Sequence, residues 1–119
     1  MKIKEDKKGQ AIVLAIEGRL DSITSGTLEK KFLTIIDAGE KNIVFDFTSM
    51  DYISSAGLRV LLMAAKKTAK LGGKVVLAAL CDNVKEVFDI AGFTSIFTIT
   101  GSPEEAIRTL SNGINRYFL

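Results

Sequence analysis

Ser54 and Ser55 stand together before a long apolar stretch. Asp21 and Asp46 each fall where a run of Ile, Val and Phe gives out. Hydroxyls and carboxylates at such junctions can cap a helix, take a phosphate or meet a charged partner. The first four N–H groups of a helix have no acceptor inside it, and the macrodipole favours negative charge there. A phosphate on Ser55 would bring about −1.5 to −2 charge to a place able to receive it. It would also repel Asp21 and Asp46 if the fold brings them close. Gly57 has no side chain to obstruct a phosphate or a partner's backbone. The plainer role is an N-cap, which Ser54 or Ser55 could fill. Asp21 and Asp46 have plain roles too, as turn or strand-end residues. Arg59 is out of place in a first helical turn, where the dipole disfavours a cation. It is either a solubilising charge or a contact to a partner's acid or to a phosphate on Ser55.

Other chemistry is excluded or unsupported. The chain of 119 residues has no histidine, which removes Ser-His and Cys-His nucleophiles and histidine metal sites. The acidic residues lack compact metal-ligand spacing, and no cofactor is expected. Ser55-Ala56-Gly57 lacks the Gly-x-x-x-x-Gly-Lys pattern of a phosphate-cradling loop. Cys81 is the single cysteine, so no internal disulfide can form, as suits a reducing, cytoplasmic compartment. At the end of an apolar run it reads as a small buried side chain. A net charge of +2 with scattered Lys and Arg does not point to nucleic acid. The cluster Lys2, Lys4, Lys7 and Lys8, beside Glu5 and Asp6, reads as a solvated edge. No segment has the pattern of a membrane span or cleaved signal.

The elements that must position these residues follow from periodicity. Met1 to Asp6 and Ala11 to Glu17 read as a hairpin around Gly9-Gln10. Thr24 or Ser25 can cap a helix striped by Leu28, Phe32, Ile35 and Ile36 and closed by Gly39. Ile43-Val44-Phe45 is the core of a buried strand, and Thr48 to Ser54 is a polar connection. Ala56 to Leu71 is the longest helix, striped by Leu58, Leu61, Leu62, Ala65 and Ala69, with Val60 and Met63 widening the stripe. It reads as covered over much of its surface. Lys74 to Leu80 is a strand. Asp82 or Asn83 caps a helix lined by Val84, Val87, Phe88 and Ala91 and ended by Gly92. Ile96 to Ile99 is a short strand. Ser102-Pro103-Glu104-Glu105 begins a last helix with a capping box, carried on by Ile107, Leu110 and Ile114. Tyr117, Phe118 and Leu119 could dock on the core. The order β-β-α-β-α-β-α-β-α predicts an α/β fold: a mixed, mostly parallel sheet of about five strands with four helices, in one domain over 1–119. Ligands of open α/β sheets sit beyond the carboxyl ends of the strands, which here are Gly18 to Thr24 and Phe47 to Ser55.

These pieces, taken in order, resemble the STAS domain family, and within it the bacterial anti-sigma factor antagonists. The likeness runs through Gly18-Arg19-Leu20-Asp21, Ile43-Val44-Phe45-Asp46-Phe47, Ile53-Ser54-Ser55-Ala56-Gly57-Leu58, Gly72-Gly73-Lys74-Val75 and Val87-Phe88-Asp89-Ile90-Ala91-Gly92-Phe93. The resemblance implies a non-enzymatic partner switch. The unphosphorylated form binds an anti-sigma factor that is also a serine kinase, which frees the sigma factor for transcription. Phosphorylation at the start of the central helix releases the complex, and a PP2C-type phosphatase reverses it. The matching serine is Ser55, with Ser54 as an alternative. The implied partner surface comprises Asp21, Ser22, Ile23 and Thr24 with Asp46, Ser54, Gly57, Leu58 and Arg59. Well-studied members have Asp before the phosphorylated Ser and Ser or Thr after it; here Ser54 and Ala56 stand there. Either the role of that Asp is vacant or Asp51 fills it from a shifted position. The departure keeps open a non-switching STAS scaffold or lipid-transport-complex subunit. A nucleotide-binding domain rests only on the strand-end loops.

Overall fold

A computed structural model describes residues 1–115, with side chains as far as Ser111. Ile114 as a stripe residue, and the tail of Tyr117, Phe118 and Leu119, lie outside what it describes. The elements run β1 (Lys2–Lys8), β2 (Ala11–Leu20), α1 (Ser25–Asp37), β3 (Asn42–Asp46), β4 (Met50–Ile53), α2 (Ser55–Lys70), β5 (Lys74–Ala78), α3 (Asp82–Ala91), β6 (Thr98–Thr100) and α4 (Pro103–Asn115). The sheet order is β1-β2-β3-β5-β6, with β4 added beside β2. Among the described residues only β1 is antiparallel; β2/β3, β3/β5, β5/β6 and β2/β4 are parallel. The expected α/β class is therefore borne out, with one strand more than the sequence reading found.

Strand side chains alternate between two cores, as the two-residue period requires. Ile12, Leu14, Ile16, Ile43, Phe45, Val75 and Leu77 face a large cluster with the inner faces of α1, α2 and α3. Val13, Val44, Val76 and Ala78 face the opposite side, where Ala106 and Leu110 of α4 cover them. Strands buried on both faces read as continuous apolar runs, which is why β2, β3 and β5 were legible. Phe45 stacks between Phe32 and Phe47, tying α1 to the centre of the sheet.

Several boundaries moved. The segment expected as a polar connection contains β4, whose Asp51 and Tyr52 are exposed between buried Met50 and Ile53. That pattern has no strand period, and β4 forms because β2 runs on through Leu20 to offer it an edge. Helix α2 is amphipathic rather than widely covered: Leu58, Val60, Leu61, Ala64 and Thr68 are buried, whereas Ala69 is exposed. Helix α1 has Thr24 at its cap position without a side-chain cap bond. Cys81, not Asp82 or Asn83, precedes α3, half-buried with its thiol 3.5 Å from the Met50 carbonyl. Gly92 ends α3 in the left-handed region, as glycine at that position does. The capping box of α4 forms with a shift: Ser102 Oγ accepts the Glu105 N–H at 3.1 Å, but Glu105 reaches back to the Gly101 N–H. Lys4, Lys7 and Lys8 pair with Glu17, Glu40 and Asp6 at the solvated edge.

Candidate functional site

The site is built where β2 leaves the main sheet. Gly18 takes φ +94, and the ladder register shifts between Gly18 and Arg19. A positive φ at a bulge suits glycine and bends the strand. Beyond the bend β2 pairs with β4, placing Leu20 opposite Ile53. The next N–H, of Ser54, donates to the Leu20 carbonyl at 2.9 Å. The mouth of α2 is thereby fixed to the end of β2.

Ser54 is the N-cap. Its backbone is extended, and its Oγ accepts the Gly57 N–H at 3.3 Å. Ser55 is the first helical residue, not the residue before the helix, and it is exposed. Among the described residues its hydroxyl has no hydrogen-bond partner. Of the two serines, Ser54 fills the cap role that was open to either. Asp at position 54 would also cap, since both side chains accept from N2 or N3. Ser54 therefore preserves the local geometry while removing a negative charge. Asp51, the other candidate for the role of that Asp, is exposed on β4.

Gly57 and Leu58 face inward, so neither belongs to an exposed partner surface. A Cβ on Gly57 would lie 2.9 Å from Ile53 Cγ1 and Leu20 Cγ and 3.0 Å from the Leu20 carbonyl oxygen. Its lack of a side chain serves this close approach of α2 to β2 and β4, not access by a phosphate. Leu58 is 6% exposed and part of the large core.

Asp21 organises the neighbouring turn. Its Oδ1 accepts the N–H groups of Ile23 and Thr24, each at 3.0 Å. The Thr24 hydroxyl accepts the Asp21 N–H at 2.9 Å and donates to the Arg19 carbonyl at 2.8 Å. The Thr24 N–H holds the Asp21 carboxyl below the usual carboxylate range; the Thr24 hydroxyl, Ile23 N–H and Arg19 charge add to this against partial desolvation. Asp21 is therefore ionised at neutral pH. Ile23, at the tip, is 84% exposed, so it is a free apolar surface and not an anchor for α1. Ser22, Ser25, Glu29, Ala56 and Arg59 line a depression of about 480 Å³ between the starts of α1 and α2.

Asp46 stands apart from this group. It accepts from the Thr48 N–H at 3.0 Å and lines a different depression with Glu17, Ser49 and Glu104. Two residues the sequence reading passed over do belong to the rim. The Arg19 guanidinium lies 3.9 Å over the Tyr52 ring, with its Nε 3.9 Å from Asp21 Oδ2. Tyr52 is 39% exposed. Nothing in the sequence period marks them, because only the β2–β4 pairing brings them together. Among the described residues no group of three or more His, Cys, Asp or Glu could hold a metal ion. No described helix is long and apolar enough to cross a membrane.

Comparison with known proteins covers almost the whole chain. The STAS domain profile matches residues 2–106. The chain is 38% identical over 116 residues, 98% of its length and 100% of the relative's, to BtrV of Bordetella bronchiseptica, named as a candidate anti-sigma factor antagonist. It is 26% identical over 97 residues to the anti-sigma-B factor antagonist of Bacillus subtilis, across 82% of this chain and 88% of that one. Its fold matches the anti-sigma factor antagonist SpoIIAA in its unphosphorylated form with a TM-score of 0.82 at 20% identity, covering 93% and 97% of the two chains. A profile that spans both cores, the β2–β4 bend and the mouth of α2 leaves one assignment: the chain belongs to the STAS domain family.

Proposed function

We propose that the chain is an anti-sigma factor antagonist, a non-enzymatic partner switch controlled by phosphorylation of Ser55. The observation that carries this is the division of labour at the helix mouth: Ser54 is engaged as the cap, and Ser55 is exposed beside it. The names of its relatives support the same reading. The unphosphorylated form binds an anti-sigma factor with serine-kinase activity, across the Asp21 turn, exposed Ile23, the Arg19–Tyr52 pair and the exposed side of the first turn of α2. The kinase transfers a phosphoryl group from ATP to Ser55 Oγ. A PP2C-type phosphatase later hydrolyses the ester. This exchange takes place in the cytoplasm and governs transcription through the sigma factor.

Phosphate suits the first turn of α2, where negative charge stabilises by roughly 0.3–1 kcal/mol. Release therefore does not require unfolding. It follows from about −1.5 to −2 added charge on a surface that already carries ionised Asp21. Ser54 is the weaker acceptor, because its oxygen is half-buried and engaged with Gly57.

A pull-down from the source organism, comparing wild type with Ser55→Ala and Ser55→Asp, tests this. Wild type and Ser55→Ala should retain the same kinase-like partner, and Ser55→Asp should lose it. Equal capture by all three sinks the reading.

A further inference from the structure

The outer face of α2 carries a feature that extends well beyond the proposed Ser55 switch. Arg59, Leu62, Met63, Lys66, Lys67 and Lys70 fall at i, i+3, i+4, i+7, i+8 and i+11, one continuous helical stripe. Together they line a shallow depression of about 380 Å³. The four cations are exposed; Leu62 and Met63 are half-buried between them, and Met63 rests on the large core. Helix α2 contains no acidic residue.

Charge is segregated here. Lys4, Lys7, Lys8, Arg19 and Lys31 each have a carboxylate within salt-bridge distance; among the described residues Lys2, Lys30, Lys41, Lys74, Lys85 and Arg108 lack one but lie one to an element or loop, not together on one stripe. Among the described residues none of the four α2 cations has one. The macrodipole explains cations in the last turn, where Lys67 and Lys70 lie, but not Arg59, a full turn in from the helix start. Nor does it explain apolar side chains held between unpaired cations. A solvated face needs no apolar centre, whereas a helix-docking ridge does. Cations on both flanks select the sign of whatever lies across it.

We propose that this stripe docks an acidic amphipathic helix of a partner protein. The partner's apolar side chains pack on Leu62 and Met63, and its carboxylates meet Arg59, Lys66 and Lys70. The surface is continuous with the proposed switch: Arg59 also lines the depression between α1 and α2, one helical turn from Ser55. If Ser55 is phosphorylated, the phosphate competes with the partner's nearest acid for Arg59, so this docking deepens the switch reading but does not depend on it.

The probe is a synthetic helical peptide with Leu in adjacent turns flanked by Glu, added to the isotope-labelled full chain and followed by amide shifts. Shifts should concentrate on α2 from Arg59 to Leu71, and affinity should fall about tenfold in Lys66→Glu/Lys70→Glu. A peptide with Gln for Glu should bind correspondingly more weakly, and added salt should weaken the acidic one. Equal binding of both peptides, shifts centred elsewhere, or unchanged affinity of the folded double variant overturns the proposal. Binding to phosphatidylglycerol vesicles but not to the peptide overturns the choice of a protein helix. Loss of partner capture in Ser55→Asp but not in the lysine variant would leave the switch standing and remove this inference.

Discussion

Ser54 and Ser55 differ by one position and by what their hydroxyls do. Replacing the cap should act on stability: Ser54→Ala is expected to cost about 1 kcal/mol in urea unfolding, because the Gly57 N–H loses its acceptor. Ser55→Ala removes no cap and should leave the urea midpoint nearly unchanged. Sequence alone could not divide the pair, since either serine suits a helix start. The extended backbone at Ser54 and its bond to Leu20 make the choice. Asp21 carries a pH signature. Its folded-state pKa lies below its ordinary value, so its contribution is complete above that ordinary value and is lost as pH falls through the folded one. The stability difference between wild type and Asp21→Asn should therefore be flat at neutral pH and shrink in acid. A difference that instead grows on acidification would reverse the sign.

At the scale of elements, close approach of backbones decides which small residues matter. Gly57→Ala places a methyl 2.9 Å from Leu20 and Ile53 side chains and should destabilise by about 1–3 kcal/mol. Gly73→Ala should be worse, because its Cβ would fall 1.9 Å from the Lys41 carbonyl oxygen, which is backbone and cannot swing aside. Denaturant midpoints of the two variants check the order. The buried strands β2, β3 and β5 were readable because both faces are apolar, and α4 because Ser102 and Pro103 announce it. Strand β4 was not, since Asp51 and Tyr52 lie side by side in the open and its pairing depends on a bend at Gly18. With β4 went Tyr52 and Arg19, whose contact spans two strands. Asp46 and Ser55 are near in sequence, but Asp46 ends β3, its carboxylate is held by the turn at Thr48, and β4 intervenes before Ser55.

At the scale of the whole molecule, the sheet carries α1 to α3 on one side and α4 on the other. Phe45, fully buried between Phe32 and Phe47, is central to it, and Phe45→Ala should cost about 3–5 kcal/mol in thermal or urea unfolding. Phosphorylation of Ser55, as proposed, should change a surface without changing the fold. Phosphosite mapping joined to a binding assay tests this most directly. The chain is incubated with its captured partner and ATP, then resolved by size-exclusion chromatography and peptide mass spectrometry. One phosphate on Ser55, an unchanged circular dichroism spectrum and dissociation of the complex are predicted. A phosphate on Ser54, or none, with the complex intact would contradict the account.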